Sequence, residues 1–207
     1  MCNHRGMGFA LCRRCLQRCN TKAKLAIKEN DEKEFVDMFL KQEGMVMIKP
    51  SIEEYICREL LLDEQEVALD FISFLKDNNL IFYKDNCDCW KNKIYYWVKL
   101  DDECVCFIAI KDPDEKDNHW TVWSDDMGSE WLEQCLVDDK VKEIAWKHID
   151  HCGHCNSCGG GRHKVIFGKE FDDVCGCTFR IDNPTLNDLF FLKKMVEIRI
   201  KEIKSQQ

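Results

Sequence analysis

Sulfur and imidazole crowd into one short stretch of this chain: His151-Cys-Gly-His-Cys-Asn-Ser-Cys158, then Gly159, Gly160 and Gly161, and further on Cys175-Gly-Cys177. Cysteines three apart on a tight turn can aim both sulfurs at one ion, and glycines between and behind them let the backbone curl without steric cost. Cys152, Cys155 and Cys158 with Cys175 make four thiolates in two groups, the donor set of a closed tetrahedral zinc site. Cys177, two residues from Cys175, faces the same way on a strand and can replace it. His151 and His154 are held in reserve as ligands, with His163 a further spare. A Cys-x2-Cys-x2-Cys run with a remote fourth cysteine also suits an iron–sulfur cluster of the 4Fe-4S type. The nearby histidines and charges, and the lack of a proline after the run, favour zinc.

A second group, Cys2, His4, Cys12, Cys15 and Cys19, sits among arginines. Cys12-x2-Cys15 is a fair chelate for a second metal. Cys12, Cys15 and Cys19 also share one helical face at i, i+3 and i+7 as small apolar contacts. Cys104 and Cys106 read as two side chains on one strand face and as core, with Cys87 and Cys89 a similar pair; Cys57 and Cys135 read as core packing. The aromatic residues Tyr95, Trp97, Trp120 and Trp123 can fill a core or line a pocket for a flat or cationic ligand. Asp125, Asp126 and Glu130 would anchor such a ligand, or form a solvated turn and helix start. No catalytic signature of the nucleophile-elbow, phosphate-loop or zinc-protease kind occurs; Gly159-Gly-Gly-Arg162 lacks the Lys-Ser/Thr ending of a phosphate loop.

Composition narrows the setting. The net charge of -8 argues against general binding to DNA or RNA, because phosphates require a basic surface. Arg5, Arg13, Arg14, Arg18, Lys22 and Lys24 still offer a basic face to a partner. No apolar run approaches the roughly 20 residues of a membrane span, and Met7 to Leu11 is too short for a signal-peptide core. A cytoplasmic chain is therefore expected. Its fifteen cysteines, an odd number, suit metal ligation and buried thiols better than disulfides.

The elements that must position these groups follow from periodicity. Phe35, Val36, Phe39 and Leu40 fall at helical spacing, with Gly44 to stop them. Ser51 with Glu54, and Asp63 with Glu66, form capping-box patterns ahead of two further helices, the second ending at Asn78 and Asn79. The period then changes to two over Ile81–Tyr83, Ile94–Leu100, Cys104–Ile110 and His119–Ser124. A two-residue turn at Asp101-Asp102 places Lys99 opposite Cys104 and Trp97 opposite Cys106. Helices are predicted after Gly128-Ser129 and over Val141–Ile149, a last strand over Asp173–Ile181, and a final helix capped by Asn183 with Pro184 at its first position.

The strand pair Ile94–Ile110, the ending Leu186-Asn-Asp-Leu through Leu192-Lys-Lys-Met-Val-Glu-Ile-Arg199, and the segments Lys142–Trp146, Ile166–Phe171 and Val174-Cys175 resemble a cysteine-rich set of uncharacterised bacterial proteins related to the YdhG-like fold. The likeness covers residues 65–203 or so. It implies helices packed on an antiparallel sheet. Some YdhG-like proteins are described as iron chaperones, but no functional residue carries over from that role.

The expected protein is α+β: a sheet of four or five mainly antiparallel strands with packed helices, a Cys-rich metal knuckle at 151–177, and an N-terminal helical region. Its organisation is a basic Cys-rich segment at 1–24, a helical region at 25–64, and an α+β domain at 65–207. The expected function is non-enzymatic metal binding, with structural zinc and an unidentified small ligand or protein as partner. The rivals are an iron–sulfur or thiol-dependent redox enzyme, and a regulator that contacts a partner through its N-terminus.

Overall fold

A computed structural model of the chain describes residues 50–85, 93–112, 115–125, 128–153 and 160–206. The N-terminal segment with Cys2, Cys12, Cys15 and Cys19, the helix predicted near Phe35, the pair Cys87 and Cys89, and His154, Cys155 and Cys158 lie outside these residues.

Helix α1 (Ile52–Glu59) begins as its sequence predicts. The Ser51 hydroxyl accepts the Glu54 N–H and the Glu54 carboxylate accepts the Ser51 N–H, satisfying two backbone donors that the first turn cannot. Helix α2 (Leu62–Asp77) starts earlier than the Asp63 signal predicts, because the Glu64 carboxylate reaches back to the Leu61 N–H. It stops at Asn78, and Asn79 takes the left-handed conformation (φ 60°) that turns the chain into the sheet.

Strands β1 (Ile81–Lys84), β2 (Ile94–Leu100), β3 (Glu103–Ile110) and β4 (Trp120–Ser124) follow, then helices α3 (Ser129–Gln134) and α4 (Asp139–Lys147). Strands β5 (Ile149–His151), β6 (Arg162–Ile166) and β7 (Lys169–Asp182) and helix α5 (Leu186–Ser205) complete the described chain. The strands run in the order β1-β2-β3-β4-β7-β5, with β6 on the other half of β7, and every ladder is antiparallel. The α+β class and the antiparallel sheet agree with the sequence reading. The strand count does not: among the described residues the sheet has seven strands, where four or five were expected. The two missed strands, β5 and β6, are short and lie among polar residues with no clean alternation.

Two further expectations need correction. Lys99 does pair with Cys104, but Trp97 lies opposite Phe107, and Cys106 lies opposite Val98. A bulge inserts Val105 into β3 and shifts every later pair by one residue. It also separates the two thiols: Cys106 joins the main core and Cys104 a smaller one. At the last helix, Thr185 with Asp188 forms the cap. Asn183 stays outside the helix at φ 46°, where its side-chain oxygen accepts the N–H groups of His119 and Trp120.

The main core lies between one face of the sheet and the helices. Phe71, Ile72 and Leu75 of α2 and Leu192, Met195 and Val196 of α5 meet Val98, Ile108, Ile110, Trp120 and Val122 of the strands there. Ile52, Ile56 and Leu60 belong to this same core, so α1 packs with the sheet. Cys57, expected in the core, is exposed on the opposite side of α1. The other sheet face carries a smaller core of Tyr95, Cys104, Phe107, Ala109, Cys175 and Cys177, with Trp97 and Trp123 packed against it. Among the described residues no helix is long and apolar enough to cross a membrane.

Candidate metal centre

The site is built at a fault in the ladder between β5 and β7. Ile149 pairs with Phe179 and His151 with Val174, so one residue of β5, Asp150, stands against four of β7, residues 175–178. The surplus residues loop out as an extended bulge, and Thr178 absorbs the turn with φ 58°. A β-branched residue is rarely found there, so its surroundings must hold it. Thr178 also resets the side-chain alternation of β7. Phe179 and Ile181 beyond it face the main core, while Cys175 and Cys177 before it face the smaller one.

At this bulge the Asp150 carboxylate and the Cys175 and Cys177 sulfurs all lie within 4.8 Å of one another. Tetrahedral zinc with bonds of about 2.3 Å to sulfur sets two sulfurs about 3.8 Å apart, so a modest contraction would close the three donors on one ion. Both cysteines are buried and Asp150 is half-buried. The bulge is held by side chains of two neighbouring strands, and a backbone bond fastens its β5 flank. Lys164 of β6 donates from Nζ to the Gly176 carbonyl (3.3 Å) and the Thr178 hydroxyl (2.8 Å). The Ser124 hydroxyl donates to the Cys177 carbonyl and accepts the Phe179 N–H at 3.1 Å. The Cys152 N–H donates to the Asp173 carbonyl at 2.8 Å, fastening the end of β5.

The structure thus brings together part of the expected donor set and adds to it. Cys175 and Cys177 meet, as their spacing on a strand implies. Cys152 is buried but is not among the three grouped donors, and His151 is exposed. His163 is turned outward, and its hydrogen bond to Asp172 raises its pKa. Sequence reasoning missed Asp150 and Lys164. The only signal for Asp150 is its place two residues before Cys152; nothing marks Lys164, because its role depends on where β6 lies.

The remaining thiols differ in setting. Burial, reinforced by Asp125, pushes the Cys104 and Cys106 thiols well above the ordinary range, so both stay protonated packing groups. The aromatic residues divide. Tyr95, Trp97 and Trp123 share the smaller core: Tyr95 stacks on Phe107 at 6.0 Å, Trp97 meets Phe107 edge-on at 4.8 Å, and Trp123 lies against Tyr95 at 6.2 Å. Trp120 faces the main core on the other side of the sheet, so it cannot share a pocket with them. Burial raises the Tyr95 hydroxyl well above its usual pKa, with Cys177 and Cys104 adding to the effect.

A cleft of about 500 Å3 opens beside the bulge, with Trp97, Lys99, Cys104, Arg162, Lys164 and Arg199 in its wall. Arg199 is committed to the fold: it donates to the Cys104 carbonyl at 3.1 Å and to Glu202 at 2.6 Å, with Asp125 at 3.7 Å. No family model matches the chain, and neither curated proteins nor solved structures show a match.

Proposed function

We propose that this is a non-enzymatic metal-binding protein that holds a zinc-type divalent ion at the β5–β7 seam through Cys175, Cys177 and Asp150. The observation that carries the reading is the convergence of two thiols and a carboxylate within 4.8 Å at a bulge that Lys164 and Ser124 hold from neighbouring strands. Thiolate and carboxylate together suit zinc, whereas a 4Fe-4S cluster calls for four thiolates. The chain between β5 and β6 carries His154, Cys155 and Cys158, and both of its flanks sit at this seam: Cys152 bonds to Asp173, and Arg162 pairs with Val174. Those residues are the natural source of a fourth ligand. An ion joining β5 to β7 would stabilise the fold, since ligands that converge only in the native state make binding energy into folding energy.

Metal analysis of the full chain, followed by cobalt substitution, tests this. Wild-type protein should carry zinc, remain colourless, and show sulfur-to-cobalt charge-transfer absorption when loaded with cobalt. The double variant Cys175→Ser/Cys177→Ser should lose both the metal and that absorption. Full metal content in the double variant, or a brown protein with broad visible absorption, overturns the proposal.

A further inference from the structure

The cleft of about 500 Å3 has the size of a small-molecule site. Strand β2 and the turn after it contribute Trp97, Lys99 and Asp102, and β6 contributes Arg162 and Lys164. Strands β3, β4 and β7 lie between β2 and β6, so two elements far apart in the sheet bound one cavity. Most charges in its wall are already engaged within the protein. Arg199 binds Glu202 at 2.6 Å, with Asp125 at 3.7 Å and Glu103 at 3.9 Å. His163 bonds to Asp172, and Arg162 and Lys164 have partners of their own. Lys99 and Asp102 differ. Neither side chain forms an ion pair with a described residue, and they do not pair with each other. The Lys99 ammonium lies over rings instead, 5.5 Å from the centre of Tyr83 and 5.9 Å from that of Trp97. Trp97 is half-buried and its ring is fixed in place: Nε1 donates to the Asp85 carboxylate at 3.0 Å, and the ring meets Phe107 edge-on. The wall thus presents a fixed flat ring beside one cation and one anion.

We propose that this cleft binds a small aromatic zwitterion of the free α-amino-acid class, with its ring against Trp97, its carboxylate at Lys99 and its ammonium at Asp102. Such a molecule carries all three matching groups within a few bonds, and each of its charges meets an opposite one, so none is desolvated without a partner. A ligand with only one of the two charges leaves Lys99 or Asp102 unanswered and binds less well, which makes the pair a device for specificity as well as affinity. The inference does not depend on the metal reading above, because none of the three proposed donors takes part in these contacts.

The experiment titrates full-length wild type, Lys99→Met and Asp102→Asn calorimetrically with four probes, taking the melting temperature of each protein as the fold control. The probes are L-phenylalanine, 3-phenylpropionate (no ammonium), phenethylamine (no carboxylate) and L-alanine (no ring). Wild type should bind L-phenylalanine saturably and more tightly than the other three. Lys99→Met should bind L-phenylalanine about 10-fold more weakly, the loss of one hydrogen bond between charged groups, with no change for phenethylamine. Asp102→Asn should show a similar loss for L-phenylalanine and none for 3-phenylpropionate. Wild type that binds no L-phenylalanine, or that binds L-alanine as tightly, overturns the proposal. So does wild-type affinity for L-phenylalanine in either variant. A loss that is equal for all probes marks a change of fold rather than of charge, and overturns it too.

Discussion

At the residue scale, the site depends on positions with no chemistry of their own. Gly161 leads into β6, and a Cβ there would come within 2.7 Å of the Asp173 Cα and carbonyl carbon. Those atoms belong to the backbone of β7 next to Val174, so they cannot swing aside as a side-chain end could. Gly161→Ala should lower stability by about 1–3 kcal/mol, the usual cost of overpacking, as read from urea denaturation. It should weaken metal binding as well, because the same contact fixes β6, and with it Lys164, against β7. A Gly161→Ala protein of wild-type stability would mean that β6 and β7 are further apart than described. Of the sulfur atoms, Cys104 and Cys106 show how little residue type alone reveals: both are deeply buried cysteines, yet they face different cores.

At the element scale, helix α1 is tied to the sheet by more than its apolar face. Lys111, just past β3, donates to the Glu59 carboxylate, which also accepts from Arg58. The Lys111 hydrogen bond, with Arg58 second, holds the Glu59 carboxyl below its ordinary pKa. A carboxyl depressed in the folded state contributes stability above its unfolded pKa and loses it as the pH falls through the folded value. Lys111→Ala should therefore cost about 0.2–1 kcal/mol at neutral pH, the range for an exposed pair. The difference from wild type should shrink towards zero at an acid pH below the depressed folded-state value, where the carboxyl is protonated in both proteins. Urea denaturation of both proteins at the two pH values measures it, and a difference that persists in acid would show that Lys111 acts through packing instead.

At the scale of the whole molecule, the sheet separates two cores of unequal size, and stability should follow the larger. Phe71 is fully buried between α2 and the strands. Phe71→Ala should cost about 3–5 kcal/mol in chemical denaturation and leave the metal content of the folded fraction unchanged, because the ligands lie across the sheet. Loss of metal from a folded Phe71→Ala protein would show that the two faces are coupled. The centre joins the short β5 to the longest strand, β7, and β7 is in turn paired with β4 and β6. A metal bound there would brace both halves of the sheet through one strand.

The sequence by itself determined much of the element list. The Ser51–Glu54 cap, the strands β2 and β3 with their two-residue turn, and the amphipathic α5 are local features. Hydrogen bonds to near neighbours and a repeating apolar pattern specify them without reference to the rest of the chain. It also marked Cys175 and Cys177 as a same-face pair. Only the tertiary structure decided what that pair meets. The Val105 bulge, which sends Cys104 and Cys106 to opposite faces, arises from a misfit between paired strands that no single strand contains. The bulge ending at Thr178 likewise exists only because β5 offers one residue where β7 has four. Asp150 reaches the thiols across that misfit, and Lys164 reaches the Gly176 carbonyl from β6; both come from strands too short and too polar to stand out by periodicity.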